Sequence, residues 1–252
     1  MPLQQQSRTG MPYARTLDLP PPFRLVVLRE VGDAFAHAVA HAAELGAGTL
    51  VFVGRFDLAE FAVVLEPDQP LATARLAFYA GMVALGDVLA ASAPPEKPIA
   101  IEWPASIYVD GGLVGGGRIA WPERADERVA PDWLVFGAAI RTVSMNDEEA
   151  GLHPLATALE AEGFSDAGSA ELVEGFARHL MAALDRWQED GFAAIAGTYA
   201  ARLKRRSGEL CEIDAEGDLR LRRPGKPARC RKLLPALKLP AWLDPRTGGP
   251  RL

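Results

Sequence analysis

The sequence predicts an α+β fold: a mixed, largely antiparallel sheet with flanking helices, plus a small C-terminal β domain. Three observations predict it. Strand-like runs and helical periodicities are mixed loosely rather than in strict βα units, strand-like runs between 99 and 141 include a hairpin, and the texture after Ser207 changes to short alternating pieces.

Phe23 to Leu28 (FRLVVL) reads as a strand, and Asp33 offers an N-cap for a helix running to about Leu45, with alanines at helical spacing. Gly46 and Gly48 stop it. Thr49 to Val53 is a second strand, residues 54–60 a loop, and Phe61 to Glu66 (FAVVLE) a third strand ending at Pro67. From Leu71 to Ala91 apolar residues recur three and four apart, which predicts one long helix, ended by Pro94, Pro95 and Pro98. Ile99 to Trp103 is the next strand. Ser106 to Val109 and Arg118 to Trp121 then form hairpin arms around a glycine-rich turn from Asp110 to Gly117. Trp133 to Arg141 (WLVFGAAIR) is a buried strand, and a helical region from Ser169, a candidate N-cap, to Leu203 is punctuated at Gly191. CEIDAEGDLRLRR, from Cys211, makes a small antiparallel hairpin turning at Glu216-Gly217. The expected organisation is an N-terminal extension over 1–22, a main domain over 23–204, and a small β-rich domain with a proline-rich tail over 205–252. No internal repeat is visible.

A chain of 252 residues, 49% apolar, can bury roughly three quarters of its unfolded surface and needs no disulfide or metal to fold. Cys211 and Cys230 lack a CxxC pair or nearby histidines, so both are expected as reduced thiols. The formal charge of −6 argues against a general nucleic-acid binder, and the basic run Arg220, Arg222, Arg223, Lys226, Arg229, Arg231 and Lys232 reads as a solvated face. The first twenty residues are polar and proline-broken, unlike a secretory signal. The apolar run from Leu76 to Gly86 stops at Asp87, short of the ~18 to 20 residues a bilayer demands. No membrane association is expected, and the cytoplasm is the expected compartment.

The stretch most informative about chemistry is IEWPASIYVDGGLVGGGRIAW, from Ile101 to Trp121. Glycines 112, 115, 116 and 117 let backbone approach a ligand and leave amides free for an anion or carbonyl, although a flexible hairpin tip has the same composition. No GxxxxGK[ST] loop is present, and a dinucleotide fingerprint would need a following helix, so both nucleotide folds are disfavoured.

Here a family resemblance enters. WPASIYVDGGLVGGG resembles the WPND-plus-KxxG hairpin of biotin protein ligases, with Trp103 and Pro104 matching and Gly116 at the glycine after the lysine position. Gly54-Arg55 resembles the remnant of the GRGR loop, Phe61 to Leu65 the strand after it, and VFGAAIR (135–141) the IGxGIN strand, with Arg141 at its asparagine. DRWQEDGFAAI (185–195) and IDAEGDLRLRR are similar to the family's following helices and small β domain, so the resemblance spans about 23–225.

The resemblance implies the biotin/lipoate protein ligase fold and ATP-dependent activation of biotin, lipoate or octanoate as an acyl-adenylate. The acyl group then passes to a lysine of a carrier domain; a homodimer is left open. Such chemistry needs positive charge and oriented donors at the α-phosphate, with Mg²⁺, and an apolar slot for the acyl chain. The residues it assigns are Arg55 and Arg118 as catalytic cations, with Gly54, Trp103, Pro104, Gly115, Gly116, Gly117, Ala139 and Arg141 at the ligand, and no metal-ligating side chain. The departures are specific. Leu113 stands at the catalytic lysine, Ala105-Ser106 at the asparagine-aspartate pair, and Arg118, the candidate substitute cation, falls five residues late and is a guanidinium rather than an ammonium.

Other constellations are weaker. His37 and His41 lie one helical turn apart but have no carboxylate at metal-ligand spacing, and read as surface residues. His153 and His179 form no recognisable triad with Ser106 or Ser144, and Asp110 reads as a turn residue. The tryptophans at 103, 121, 133 and 187 read as core or interface, with Trp103 also a candidate slot wall. Two functions of different class follow: an acyl ligase or transferase with an altered site, and a noncatalytic module that binds an acyl cofactor or an acylated carrier. Thioester transfer is disfavoured, because neither cysteine lies near the site-forming strands.

Overall fold

The structure is a computed structural model that describes residues 17–29, 32–144, 155–164 and 168–252. Most of the expected N-terminal extension, and His153, lie outside them. Seven strands form one sheet: β1 (Arg24–Leu28), β2 (Thr49–Val53), β3 (Leu58–Leu65), β4 (Ile99–Glu102), β5 (Ser106–Val109), β6 (Gly112–Ala120) and β7 (Leu134–Arg141), in the order β1-β2-β3-β7-β6-β5-β4. Only β1 and β2 pair in parallel, joined through helix α1 (Ala34–Leu45). The remaining pairs are antiparallel, as the run of closely spaced strands predicts.

The alternation of side chains along the strands sorts the core into two layers. Val51, Val53, Ala62, Val64 and Val135 face α1, whose Ala34, Ala38 and Ala42 recur every fourth residue and bring the helix close to the sheet. Asp33 caps α1 by accepting the Ala36 N–H at 2.9 Å. Leu50, Phe52, Phe61, Val63 and Phe136 point the other way, onto α3 (Ala77–Ser92), α4 (Ser169–Asp190) and α5 (Phe192–Ala201).

Four readings of the sequence change. Strand β3 starts at Leu58, so Glu60 belongs to it rather than to a loop. The long helix is broken into α2 (Leu71–Ala74) and α3, because around Arg75 the amides of Leu76 and Phe78 bond three residues back and Arg75 itself is drawn to Glu127. The whole 71–92 stretch is long and apolar enough to span a membrane by composition, yet 78% of its apolar 18-residue window is buried inside the fold. The hairpin turn is only Asp110-Gly111, both with positive φ (47° and 87°), so the glycines at 112 and 115–117 are strand residues of β6. A bulge follows: Leu113 pairs with Tyr108 and Gly115 with Ile107, leaving Val114 extra. Ser169 does not cap α4; Gly168 occupies the cap and Ser169 Oγ donates to the Arg55 carbonyl instead.

The second sheet is β8 (Leu210–Ile213), β9 (Leu219–Arg222) and β10 (Arg229–Arg231), in the order β10-β9-β8, followed by α6 (Leu233–Leu237). The hairpin turns at Glu216-Gly217, where Asp214 accepts the amides of Glu216 and Asp218. Cys211, Leu219 and Leu233 share the main buried cluster, and the Tyr79 hydroxyl on α3 donates to the Gly217 carbonyl while receiving the Trp103 indole N–H at 3.0 Å.

Candidate functional site

Register places three rows of residues on the α1 side of the central strands. Leu58 lies beside Arg141; Glu60, Ala139 and Gly116 form the next row; Ala62, Gly137 and Arg118 the third. Four of the residues singled out in the sequence, Gly116, Arg118, Ala139 and Arg141, are thus brought to one face. Gly115 and Gly117 are their neighbours along β6; a Cβ at Gly115 would collide with the Ala139 carbonyl, and one at Gly117 would meet Met82 and Phe136 on the opposite side.

The charges on this face are internally matched. Arg118 Nη2 lies 2.6 Å from Asp33 and its guanidinium stacks 4.3 Å over the Phe35 ring, which covers Gly137. Its Nε is buried with no partner among the described residues. Arg55 is held by both carboxylate oxygens of Asp57, at 3.0 and 2.6 Å, which raises the guanidinium above its ordinary pKa and lowers the carboxyl. Burial lowers Arg141 from its ordinary value, with Asp57 opposing.

Glu60 was not among the residues expected. It is 5% exposed, accepts the Ala34 N–H at the start of α1 at 2.9 Å, and has its carboxyl pushed up by burial, against that hydrogen bond and the fields of Arg118 and Arg55. The signal that could have found it is the lone carboxylate in the otherwise apolar run LAEFAVVL.

The face is covered by the chain's own C-terminal segment. Trp242 is fully buried, packs on Gly116, where a Cβ would strike the indole, and donates Nε1–H to the Gly117 carbonyl at 3.1 Å. Arg141 Nη2 donates to the Pro250 carbonyl at 2.8 Å. The segment folds on itself: Arg251 N–H bonds Trp242 O, Asp244 N–H bonds Gly249 O, and Leu243 bridges Pro250. The proline-rich tail, whose course the sequence left open, is a strap over the glycine row.

Trp103 and Pro104 sit elsewhere. Trp103 faces Tyr79 and lies 4.8 Å beneath the Arg231 guanidinium, and the Pro104 carbonyl accepts the Tyr199 hydroxyl at 2.7 Å. Gly54 and Arg55 reach the face only at its rim, where Arg55 contributes to the field at Glu60.

Residues 19–201 match the family model described as the biotin/lipoate A/B protein ligase family. The chain belongs to that family. Among solved structures it is similar to a biotin protein ligase-like protein of unknown function from Silicibacter sp. TM1040, with 29% identity and a TM-score of 0.74 over 88% of this chain and 99% of that one. The biotin protein ligase of Aquifex aeolicus shares the fold at 16% identity and a TM-score of 0.61, over 83% of this chain and 99% of that one. The same enzyme in complex with biotin and ATP gives 0.59 at 16% identity, over 82% and 98%. No curated protein matches.

The family's nucleotide chemistry can be tested against the residues present. Leu113, which the motif resemblance sets against the lysine, is 8% exposed and locked between the backbones of Leu155 and Thr157, while Arg118, Arg55 and Arg141 are committed to Asp33, Asp57 and the Pro250 carbonyl. With Trp242 on the glycine row, this arrangement does not fit ATP and Mg²⁺. The His37 and His41 rings lie 4.7 Å apart on α1, with Glu44 near His41. One trio among the described residues, Asp214, Asp218 and Cys230, is close enough to hold a metal, but Arg220 and Lys232 already bind its carboxylates.

Proposed function

We propose that this ligase-family chain binds a biotin-type acid, free or carried on the lysine of a carrier domain, over the Gly116–Ala139–Glu60 row, and does not adenylate it. The observation that carries this reading is Trp242, a flat fused bicycle seated on a glycine strand with its N–H on a backbone carbonyl. A ureido ring offers an N–H donor for the same carbonyl, whereas a dithiolane or an alkyl chain has no N–H for Gly117. Biotin is therefore favoured over lipoate and octanoate, and the strap must leave before the acid enters. Both cysteines are free, which accords with a reducing compartment such as the cytoplasm.

Calorimetric titration with biotin, lipoate and octanoate tests this, with and without ATP and Mg²⁺, on the full chain, on a chain shortened after Leu239 and on Trp242→Ala. Biotin should bind the two altered chains at least tenfold tighter than the full chain, without a nucleotide effect. Silence of all three acids on both altered chains would overturn it.

A second reading, adenylation by an altered site once the strap has left, is favoured by the Nε of Arg118, which is buried with no partner among the described residues. Pyrophosphate exchange dependent on biotin or lipoate, lost in Arg118→Ala, would establish it in place of the first.

A further inference from the structure

We infer a second ligand site, for a small molecule carrying two or more phosphates, in the cleft between the end of α5 and the small sheet. The cleft encloses about 930 Å³, within the range of small-molecule pockets. Lys204, Arg205 and Arg206 line it from one side. Arg223, Lys226, Arg229 and Arg231 line it from the other, against only two carboxylates, Glu102 and Glu209. This concentration stands in a chain whose formal charge is −6, so it is local and not a consequence of composition.

Pairing within the basic run separates two groups of side chains. Arg220, Arg222 and Lys232, which do not line the cleft, each have a carboxylate, in Asp214, Glu212 and Asp218. Of the cations that line it, only Arg223 has one among the described residues, Glu209 at 3.0 Å. Arg206, Lys226 and Arg229 have no ion pair among the described residues, and Arg231 is stacked on Trp103. The basic run is therefore not one solvated face: its unneutralised members converge on a concavity.

A single carboxylate would be served by one guanidinium. An excess of this size around a bounded volume suits a compact polyanion, and arginine forks match phosphate oxygens in pairs. The floor is apolar, formed by Trp103, Leu203 and Leu219, so the ligand has a non-polar body as well as its phosphates. A nucleic-acid strand is disfavoured, because beyond the cleft the cations of the basic run, Arg220, Arg222 and Lys232, are already paired with carboxylates and the chain as a whole is negative. The site is separate from the Gly116 row and stands whether or not a biotin-type acid binds there.

The test is calorimetric titration of the full chain at low salt with inorganic tripolyphosphate, ADP and orthophosphate. It is repeated on the triple variant R206A/K226A/R229A and on R118A. Tripolyphosphate and ADP should bind at least tenfold more tightly than orthophosphate, lose at least tenfold in the triple variant with its melting temperature unchanged, and be unaffected by R118A. Lys226→Glu alone repeats the measurement if the triple variant loses its fold. No binding, binding that survives the cleft variants, or a single-stranded oligonucleotide that displaces ADP at lower concentration would each overturn the site.

Discussion

The indole Nε1 of Trp242 lies 3.1 Å from the carbonyl oxygen of Gly117, a buried hydrogen bond between residues 125 positions apart. It gives the glycine strand a physical reason. With any side chain at Gly116 the indole could not lie flat on β6, and a buried indole N–H without its acceptor would cost about 1–3 kcal/mol.

Trp242→Ala should free the strap rather than melt the sheet. Truncating a buried aromatic removes roughly 3–5 kcal/mol, and here the loss falls mainly on the docking of one segment. Trypsin cleavage after Arg246 should accelerate at least tenfold; equal rates in the two proteins would mean that other contacts hold the segment.

Gly116→Ala places a methyl against both the Ala105 carbonyl and the Trp242 ring. Overpacking of this kind costs about 1–3 kcal/mol; the Ala105 carbonyl is backbone, so β6 itself must shift, and that shift also unseats the indole. The variant should lower the urea midpoint and shift tryptophan emission to the red, and the shift should vanish in a Trp242→Phe background.

Glu60 should make stability depend on pH. Burial raises its carboxyl in the folded chain, so between the ordinary and the raised value the folded form binds a proton more readily than the unfolded form. The associated stability is complete below the ordinary glutamate value and is lost as pH rises through the raised folded value. Glu60→Gln cannot titrate, so its stability relative to the parent should rise over the pH interval above the ordinary glutamate value of about 4.3. Urea midpoints across that interval check this, and parallel profiles would assign the dependence elsewhere.

Asp33 has two duties that substitutions can separate. Asp33→Ala removes both the α1 cap and the partner of Arg118 and should cost about 1–2 kcal/mol. Asp33→Asn keeps a capping oxygen and should recover most of that loss, while still leaving the 13% exposed guanidinium without its carboxylate. Thermal denaturation of the pair distinguishes the contributions, and equal losses would assign the cost to the ion pair.

Much of the fold was legible because its elements are locally consistent. The Asp33 cap, the alanines of α1 and the alternation along FRLVVL and TLVFV need only near neighbours to be understood. What misled was local chemistry overridden at long range. Four glycines read as a turn, but pairing with β5 and, from Gly115 on, with β7 holds them extended. Glu60 read as part of a loop because nothing nearby in sequence announces the α1 amide that receives it. Of the candidate site, Gly116, Arg118, Ala139 and Arg141 converge by strand register, which the motif order carried implicitly. The removal of Trp103 from them could not be read, because the small sheet that covers it through Arg231 is specified more than a hundred residues later.

The strap and its slot belong to one molecule, and this changes what a binding constant on the full chain means. Four residues separate Leu237, the end of α6, from Trp242, so the indole competes at a fixed effective concentration, on the order of millimolar for short tethers. A slot vacant one time in a hundred would make an external ligand look roughly a hundredfold weaker than it is. Diluting the protein leaves that handicap untouched; a binder of the strap itself would remove it.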